Sequence, residues 1–430
     1  MDHERGEEKI NWKAEYVARN ADISIHWLRS HTTEASKTEI HGASTCNGGR
    51  SLFTVLDDGK VGIWDVNPYG SRAGRRISWR GSGEASVAGT VNPSNSHIGF
   101  TETISVDDAR GKAYVAAGQT VVGVDVRTLV PTERVGYTRA VTAMSTANDA
   151  GIAMTIATDR GGLYLHDPRS CNNPAPVTGF TQWDRPSVLS ILHRGPHAIH
   201  VAGRFPSIVT YDRRFLSKVH STIWTGARAL SSLSNLPPSQ TYPHGGILAA
   251  GHGKSRTDRG FVNVHHPDPM ISSRDGTSAT HESKNNDRTM WCEKSVMYAI
   301  PHGCRIVCSD VAGQLFWVER DGGPVQRQCS LRSMNDEYDS PQIGSKIMRL
   351  GCDADDPRAD LAVRTGTDVG IIGFGAKKDV NGGLLEGEEE EEEKPESEED
   401  DYRETMRRNL HKQFEDTRYL NSFGLFPTYG

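Results

Sequence analysis

A few short stretches carry residue types that could do chemistry. Gly251-His252-Gly253-Lys254-Ser255 has the glycine, lysine and hydroxyl of a phosphate-cradling loop. Such a loop needs another glycine five positions before its Gly-Lys pair and a helix directly after it, since backbone N–H groups at the helix start hold the phosphate. Leu248 occupies that glycine position, and Gly260-Phe261-Val262-Asn263-Val264-His265 downstream predicts a strand. His302, Cys304 and Cys308 hold metal-binding atoms, but the two cysteines flank Arg305-Ile306-Val307, a strand start that puts both sulfurs on the Ile306 side. A zinc site needs a fourth ligand and tighter spacing, so buried structural thiols are expected. His265-His266-Pro267-Asp268 ends a strand at the mouth of a long loop, where a solvated histidine pair is expected. No Gly-x-Ser-x-Gly elbow and no His-Glu-x-x-His helix occurs. The chain reads as a non-enzyme with no cofactor and no metal.

The other chemically distinctive group is cationic. Arg160, Arg204, Arg256 and Arg259, with Lys254 and the apolar Phe205 beside them, all fall in turns between strand-like runs. A guanidinium offers a planar fork of donors that matches carboxylate or phosphate. If the fold gathers these six residues on one rim, the chemistry is recognition of an acidic or phosphorylated peptide. For any single arginine, a salt bridge to a neighbouring loop is the competing reading.

What must position them is a repeated hairpin. Ala157-Thr158-Asp159-Arg160-Gly161-Gly162-Leu163-Tyr164-Leu165-His166-Asp167 reads as strand, tight polar turn, strand, then Asp. Asp and Gly suit such turns because the favoured backbone angles are resisted by β-branched residues. The same grammar recurs at Leu56-Asp57-Asp58-Gly59-Lys60-Val61-Gly62-Ile63-Trp64-Asp65, which closes on Trp-Asp. Further copies centre on Ala113–Asp125, Ile199–Asp212, Gly246–His265, Arg305–Val318 and Ala359–Phe374, which makes seven in all. Their spacing exceeds the ~40–45 residues of a regular repeat of this kind. Insertions at 67–99 and 263–290, rich in Ser, Gly, Pro and charge, account for the excess. A single four-stranded sheet cannot bury both faces and leaves sticky edges, and radial stacking removes both problems. The competing fold, a β-sandwich, has no reason to repeat the strand ending.

Composition adds bounds. The chain has 430 residues, 36% of them hydrophobic, enough for a large core. Seven scattered cysteines suit reduced thiols inside a cell. The charged start Met1-Asp2-His3-Glu4-Arg5 is no secretory signal, and no apolar run nears the ~20 residues of a membrane span. A cytoplasmic or nuclear protein that avoids membranes is expected. Residues 386–401 hold twelve acids and one lysine, so the rest carries about +5 although the whole carries −6. Such a run cannot order itself, and it is expected to compete in cis for the arginine rim. Beyond it, Tyr402, Met406, Leu410 and Phe414 sit four apart on one face of a helix, a candidate docking element or a helix that packs back on the body. Nucleic acid is disfavoured, because the positive excess is small and no aromatic-basic stripe appears.

Near the start, Trp12, Tyr16 and Arg19 fall at helical spacing, followed by Trp27-Leu28-Arg29. With the Trp-Asp hairpins downstream, this stretch resembles the F-box/WD-repeat family, the substrate receptors of SCF-type ubiquitin ligases. There a Trp-Lys, an aromatic, an Arg and a further Trp precede the first blade. The family's leucine-rich box is not among the eleven residues ahead of Trp12. The resemblance implies a substrate-recognition role, with cullin-type ligase subunits as partners and Trp12, Tyr16 and Trp27 as docking residues. A helix that merely seals the propeller is the other reading of residues 12–28.

The expected architecture is all-β, a seven-bladed WD-type β-propeller over residues 36–380. A helical segment covers 1–35, an acidic linker 381–401, and an amphipathic helix and tail 402–430. The expected function is a non-catalytic interaction scaffold that binds a protein or peptide on its rim. A WD-repeat adaptor in trafficking, chromatin or RNA processing is the alternative, and a propeller hydrolase or lyase stands behind it.

Overall fold

The computed structural model describes residues 12–28, 40–56, 60–66, 77–83, 103–146, 154–167, 175–176, 187–195, 197–215, 219–238, 245–253, 259–265, 288–320, 325–331, 346–351, 359–365 and 368–375. They form seven four-stranded antiparallel sheets, each a blade whose strands run inner to outer. Blade 1 is Ile40–Cys46, Ser51–Leu56, Val61–Val66 and Ile77–Gly83. Blade 2 is Ile104–Asp107, Lys112–Ala117, Thr120–Asp125 and Pro131–Gly136. Blade 3 is Val141–Ser145, Met154–Thr158, Leu163–His166 and Ala175–Pro176. Blade 4 is Val188–Arg194, Ala198–Gly203, Phe205–Asp212 and Val219–Trp224. Blade 5 is Ala229–Leu236, Gly246–His252, Gly260–His265 and Arg288–Cys292. Blade 6 is Val296–His302, Arg305–Asp310, Gln314–Glu319 and Val325–Ser330. Blade 7 is composite: Lys346–Arg349, Leu361–Arg364 and Val369–Gly375 come from late in the chain, and the outer strand Asp22–Trp27 comes from its beginning. Each inner strand touches the next, and that of blade 7 touches that of blade 1, so the sheets close into a ring. The fold is a seven-bladed β-propeller.

Each of the seven expected hairpins is the second and third strand of a blade. Their middle strands are buried on both faces, as in Ser51–Leu56 and Gly260–His265, so they read as apolar runs more than as alternation. The core is correspondingly divided among seven clusters, one between each pair of neighbouring blades. Inner strands repeat a β-bulge, for example at Val188/Ser190 in blade 4 and Leu230/Ser232 in blade 5. The bulge pushes the inner strand toward its neighbour, and glycine meets it there: a Cβ on Gly203 would strike the carbonyl of Ser187. Hydroxyls at the bulge bridge blades, with Thr142 Oγ1 donating to Val188 O at 2.7 Å and Ser231 Oγ to Val296 O at 2.8 Å. The Asp that ends several third strands holds the following turn. Asp125 accepts the N–H of Arg127 and of Thr128, and Asp212 accepts that of Arg214.

Two expectations need correction. Residues 67–99 and 263–290 are not wholly insertions, since the outer strands Ile77–Gly83 and Arg288–Cys292 begin within them. Outer strands meet solvent on one side and keep polar residues, so their apolar signal is weak. Blade 2's Pro131–Gly136 shows this, with exposed Thr132 and Arg134. The helical segment expected over 1–35 is not helical throughout. Among its described residues Trp12–Asn20 is helical, and Ile23 and Ile25 alternate with Ser24 and His26 to make a strand that belongs to the propeller. Trp27 is thus a residue of the closing strand, half-buried with its ring against Gly370, and not part of a docking helix.

The helix Trp12–Asn20 is tied to blade 6. Ala14 and Ala18 are buried, and Glu15 Oε1 accepts the backbone N–H of Cys304 at 3.0 Å while standing 3.7 Å from Arg305 Nε. Arg19 pairs with Glu319 at 2.8 Å. Glu15 and Arg305 are each 1% exposed, and burial works against the charge of Arg305. Removing one member of such a pair strands the other charge, whereas replacing both with apolar groups does not. Glu15→Ala should lower unfolding stability by about 3 kcal/mol, and a Glu15→Met/Arg305→Met double variant should recover most of it, as read from urea midpoints.

Candidate partner-binding face

The turn between second and third strands opens at the same end of each blade as the connection to the next blade. Among the described residues, this end carries five exposed arginines over blades 2 to 5. Arg139 lies in the connection from blade 2 to blade 3, Arg160 in the blade 3 turn and Arg204 in the blade 4 turn. Arg228 lies in the connection from blade 4 to blade 5, and Arg259 closes the blade 5 turn.

Short hydrogen bonds fix the backbone beneath them. Asp159 N–H donates to Ala140 O at 2.9 Å, Ser187 Oγ to Asp159 O at 2.6 Å, and Arg204 N–H to Ser187 O at 3.0 Å. Arg228 N–H donates to His252 O at 2.9 Å and Gly253 N–H to Arg259 O at 2.7 Å. Gly161, at φ 73°, supplies the left-handed step that lets the blade 3 turn close. The arginines therefore stand on a stiff, hydrogen-bonded base.

Their electrostatics differ from those at the other end of the ring. There, Arg110 pairs with Asp107 at 3.1 Å, Arg214 with Asp212 at 2.7 Å, Arg19 with Glu319 at 2.8 Å, and Arg305 with Glu15 at 3.7 Å. Among the described residues, none of Arg139, Arg160, Arg204, Arg228 and Arg259 has an acidic partner. The arrangement can take up anionic groups.

Of the expected rim residues, the structure brings Arg160, Arg204 and Arg259 to this face, while Lys254 and Arg256 lie outside the described residues. Phe205 is corrected: at 8% exposure it packs into the core between blades 3 and 4, with Val188 and Leu163 among its neighbours. It opens a strand instead of crowning a turn, so its ring points inward. Arg139 and Arg228 lie outside the hairpin turns that the sequence marks clearly. Connections between blades share that rim, and the weak outer strands that bound them were not located. Tyr16 is 42% exposed on the helix, the side chain of Trp12 lies outside the described residues, and so do Tyr402, Met406, Leu410 and Phe414.

The chemically suggestive residues are dispersed. The Gly251–Ser255 stretch leaves strand Gly246–His252, and the chain returns as strand Gly260–His265, with His252 opposite Gly260. Cys308 faces blade 5 within the cluster that holds Ile306, while His302 takes the other face of blade 6, accepting from Trp317 Nε1 at 3.3 Å and donating to Ala359 O at 2.9 Å. Burial pushes the Cys308 thiol up, away from reactivity. His265, expected to be solvated, is fully buried, because the strand reaches it before the loop begins.

Comparison with known proteins bears on the fold. No protein-family model matches the chain, and no curated relative matches it. Among solved structures, the chain is similar to the β-propeller domain of Cps50 (Swd1) from Myceliophteria thermophila, with 13% identity and a TM-score of 0.55. That alignment covers 81% of this chain and 99% of the other.

Blade 4 also carries a histidine pair that reports on folding. Burial pushes His193 down to about 4, with Arg213 adding to the effect. It pushes His200 down to about 3, with Arg194 adding, and His200 Nδ1 stands 2.9 Å from Thr210 Oγ1. Both are neutral in the fold, whereas the unfolded chain protonates them near pH 6.5. Below that pH the unfolded state binds more protons, so acid removes stability that is fully present above it. Between pH 6.5 and 5 each histidine should account for about 2 kcal/mol of loss, and His193→Gln/His200→Gln should flatten urea midpoints across that window.

Proposed function

We propose that the protein is a non-catalytic interaction scaffold that grips an acidic or phosphorylated peptide on the arginine-bearing end of blades 2 to 5. The observation that carries this reading is a grouping on the ring: the five exposed arginines at this end have no acidic partner among the described residues, whereas Arg19, Arg110, Arg214 and Arg305 at the other end pair with carboxylates. A charge left without an internal partner on a stiff base is prepared for an external one, and the ordering cost of the site has been met by the fold.

A finer reading makes the chain the substrate-recognition subunit of a cullin-type ubiquitin ligase. Its support is the resemblance at Trp12-Lys13, Tyr16, Arg19 and Trp27-Leu28-Arg29. Glu15 and Arg19 of that stretch are engaged with blade 6, which leaves Tyr16 as the described aromatic of the helix most open to a partner. Affinity purification of the full chain should bring down cullin and its linker subunit. Their absence would remove the ligase assignment and favour an adaptor of another assembly, with the scaffold reading intact.

Arg160→Glu/Arg204→Glu should weaken binding of a labelled phosphoserine-rich acidic peptide more than about tenfold in fluorescence polarisation. Wild-type affinity should fall as salt rises, because exposed charges are screened beyond roughly 8–10 Å at physiological ionic strength. Unchanged affinity of the double variant at low salt would refute the rim as the site.

A further inference from the structure

Two exposed tryptophans adjoin the arginine rim. Trp224 is 59% exposed and Trp291 is 62% exposed, and each is near the upper end of its blade's outer strand. Trp224 lies opposite Ser207, on the side of blade 4 that carries Val209 and Tyr211 toward blade 3. Trp291 lies opposite Phe261, on the side of blade 5 that faces blade 4, with ring centroids 6.3 Å apart. The two thus occupy corresponding places one blade apart, at the outer mouths of successive grooves.

Each has an arginine turn next to it. The residue after Trp224, Thr225, donates through N–H and Oγ1 to Pro206 O at 3.1 and 2.9 Å, which holds Trp224 beside Arg204-Phe205-Pro206. Trp291 lies against the neck of the blade 5 turn: a Cβ on Gly253 would stand 3.1 Å from its Cζ3, and Gly253 N–H donates to Arg259 O. A lone exposed apolar residue is ordinary, but two tryptophans at matching positions beside arginines that have no acidic partner among the described residues form a pattern. Tryptophan and arginine are the side chains that concentrate binding energy at interfaces.

We propose that the ligand of this face is a linear acidic peptide whose anionic groups meet Arg204 and Arg259 and whose interspersed aromatic or aliphatic side chains cover Trp224 and Trp291. This rests on the rim reading above and specifies its ligand class. The charge of the arginines selects the acidic component, and the flanking indoles select the apolar one.

The test is a polarisation titration of the full chain with two labelled phosphoserine peptides of equal charge. One spaces its acids with Gly and Ser, and the other replaces two spacers with Leu and Phe. Wild type should bind the apolar-bearing peptide about tenfold tighter. Trp224→Ala/Trp291→Ala should abolish that difference and leave the acid-only peptide unchanged, while Trp224→Phe/Trp291→Phe should retain most of it. Arg204→Glu should weaken both peptides. Equal affinity of the two peptides for wild type overturns the inference even if a variant fails to fold, and so does a difference that survives the alanine variant. In either case binding of the acid-only peptide leaves the rim standing, whereas failure of wild type to bind either peptide removes both.

Discussion

The pairing of Asp22–Trp27 with Val369–Gly375 is the interaction on which the rest of the ring depends. Six residue pairs, from Asp22 opposite Gly375 to Trp27 opposite Gly370, join segments from the two ends of the propeller's sequence. No blade owns a core, because each of the seven apolar clusters is shared by two neighbours. An open chain of blades would leave the last face of blade 7 and the first face of blade 1 uncovered, including Leu52, Trp64, Met348 and Ile371. Closing so long a loop costs entropy, but that cost grows only logarithmically with length, while the gain is a whole interblade cluster. The helix Trp12–Asn20 adds a second tie, through the charges it buries against blade 6.

Closure also explains why the loops can serve as a recognition surface. A turn at the top of an isolated hairpin would flex, whereas here bridging hydroxyls on Thr146, Thr142, Ser190 and Ser231 tie blades 2 to 6 in succession. On that base, the same residue type meets two fates. At one end arginines complete the fold, with Asp212 and Asp107 spending their carboxylates on Arg214 and Arg110 and on turn N–H groups. At the other end Arg160, Arg204 and Arg259 hold up no turn with their side chains. Among the described residues no carboxylate pairs with them.

The repeat was legible in the sequence because the second and third strands are buried on both faces and joined by turns with strong chemistry, as in Asp159-Arg160-Gly161-Gly162. The outer strands were not, since half their residues meet solvent and Ala175–Pro176 is only two residues long. Missing them hid the connections between blades, and with these Arg139, Arg228, Trp224 and Trp291. Phe205 was misplaced by one step. Next to an arginine in a turn it looked exposed, but a bulge after Val201 brings it opposite Gly203 and into the core. Trp27 falls inside the helical segment expected over 1–35, although Ile23 and Ile25 in alternation mark a strand.

The blade period sets what kind of chain can use this face. Trp224 and Trp291 are separated by one blade step, and packed sheets stand roughly 10 Å apart, more toward the outer edge of a ring where blades diverge. An extended peptide advances about 3.3 Å per residue. A ligand that reaches both tryptophans must therefore place its apolar side chains at least about three residues apart, with acidic groups interspersed to meet Arg204 and Arg259. A compact helix, rising 1.5 Å per residue, would need about two turns for the same step and would present its charges on a face set by its own period. For the ligand proposed above, the spacing imposed by stacking sheets thus favours an extended segment over a helix.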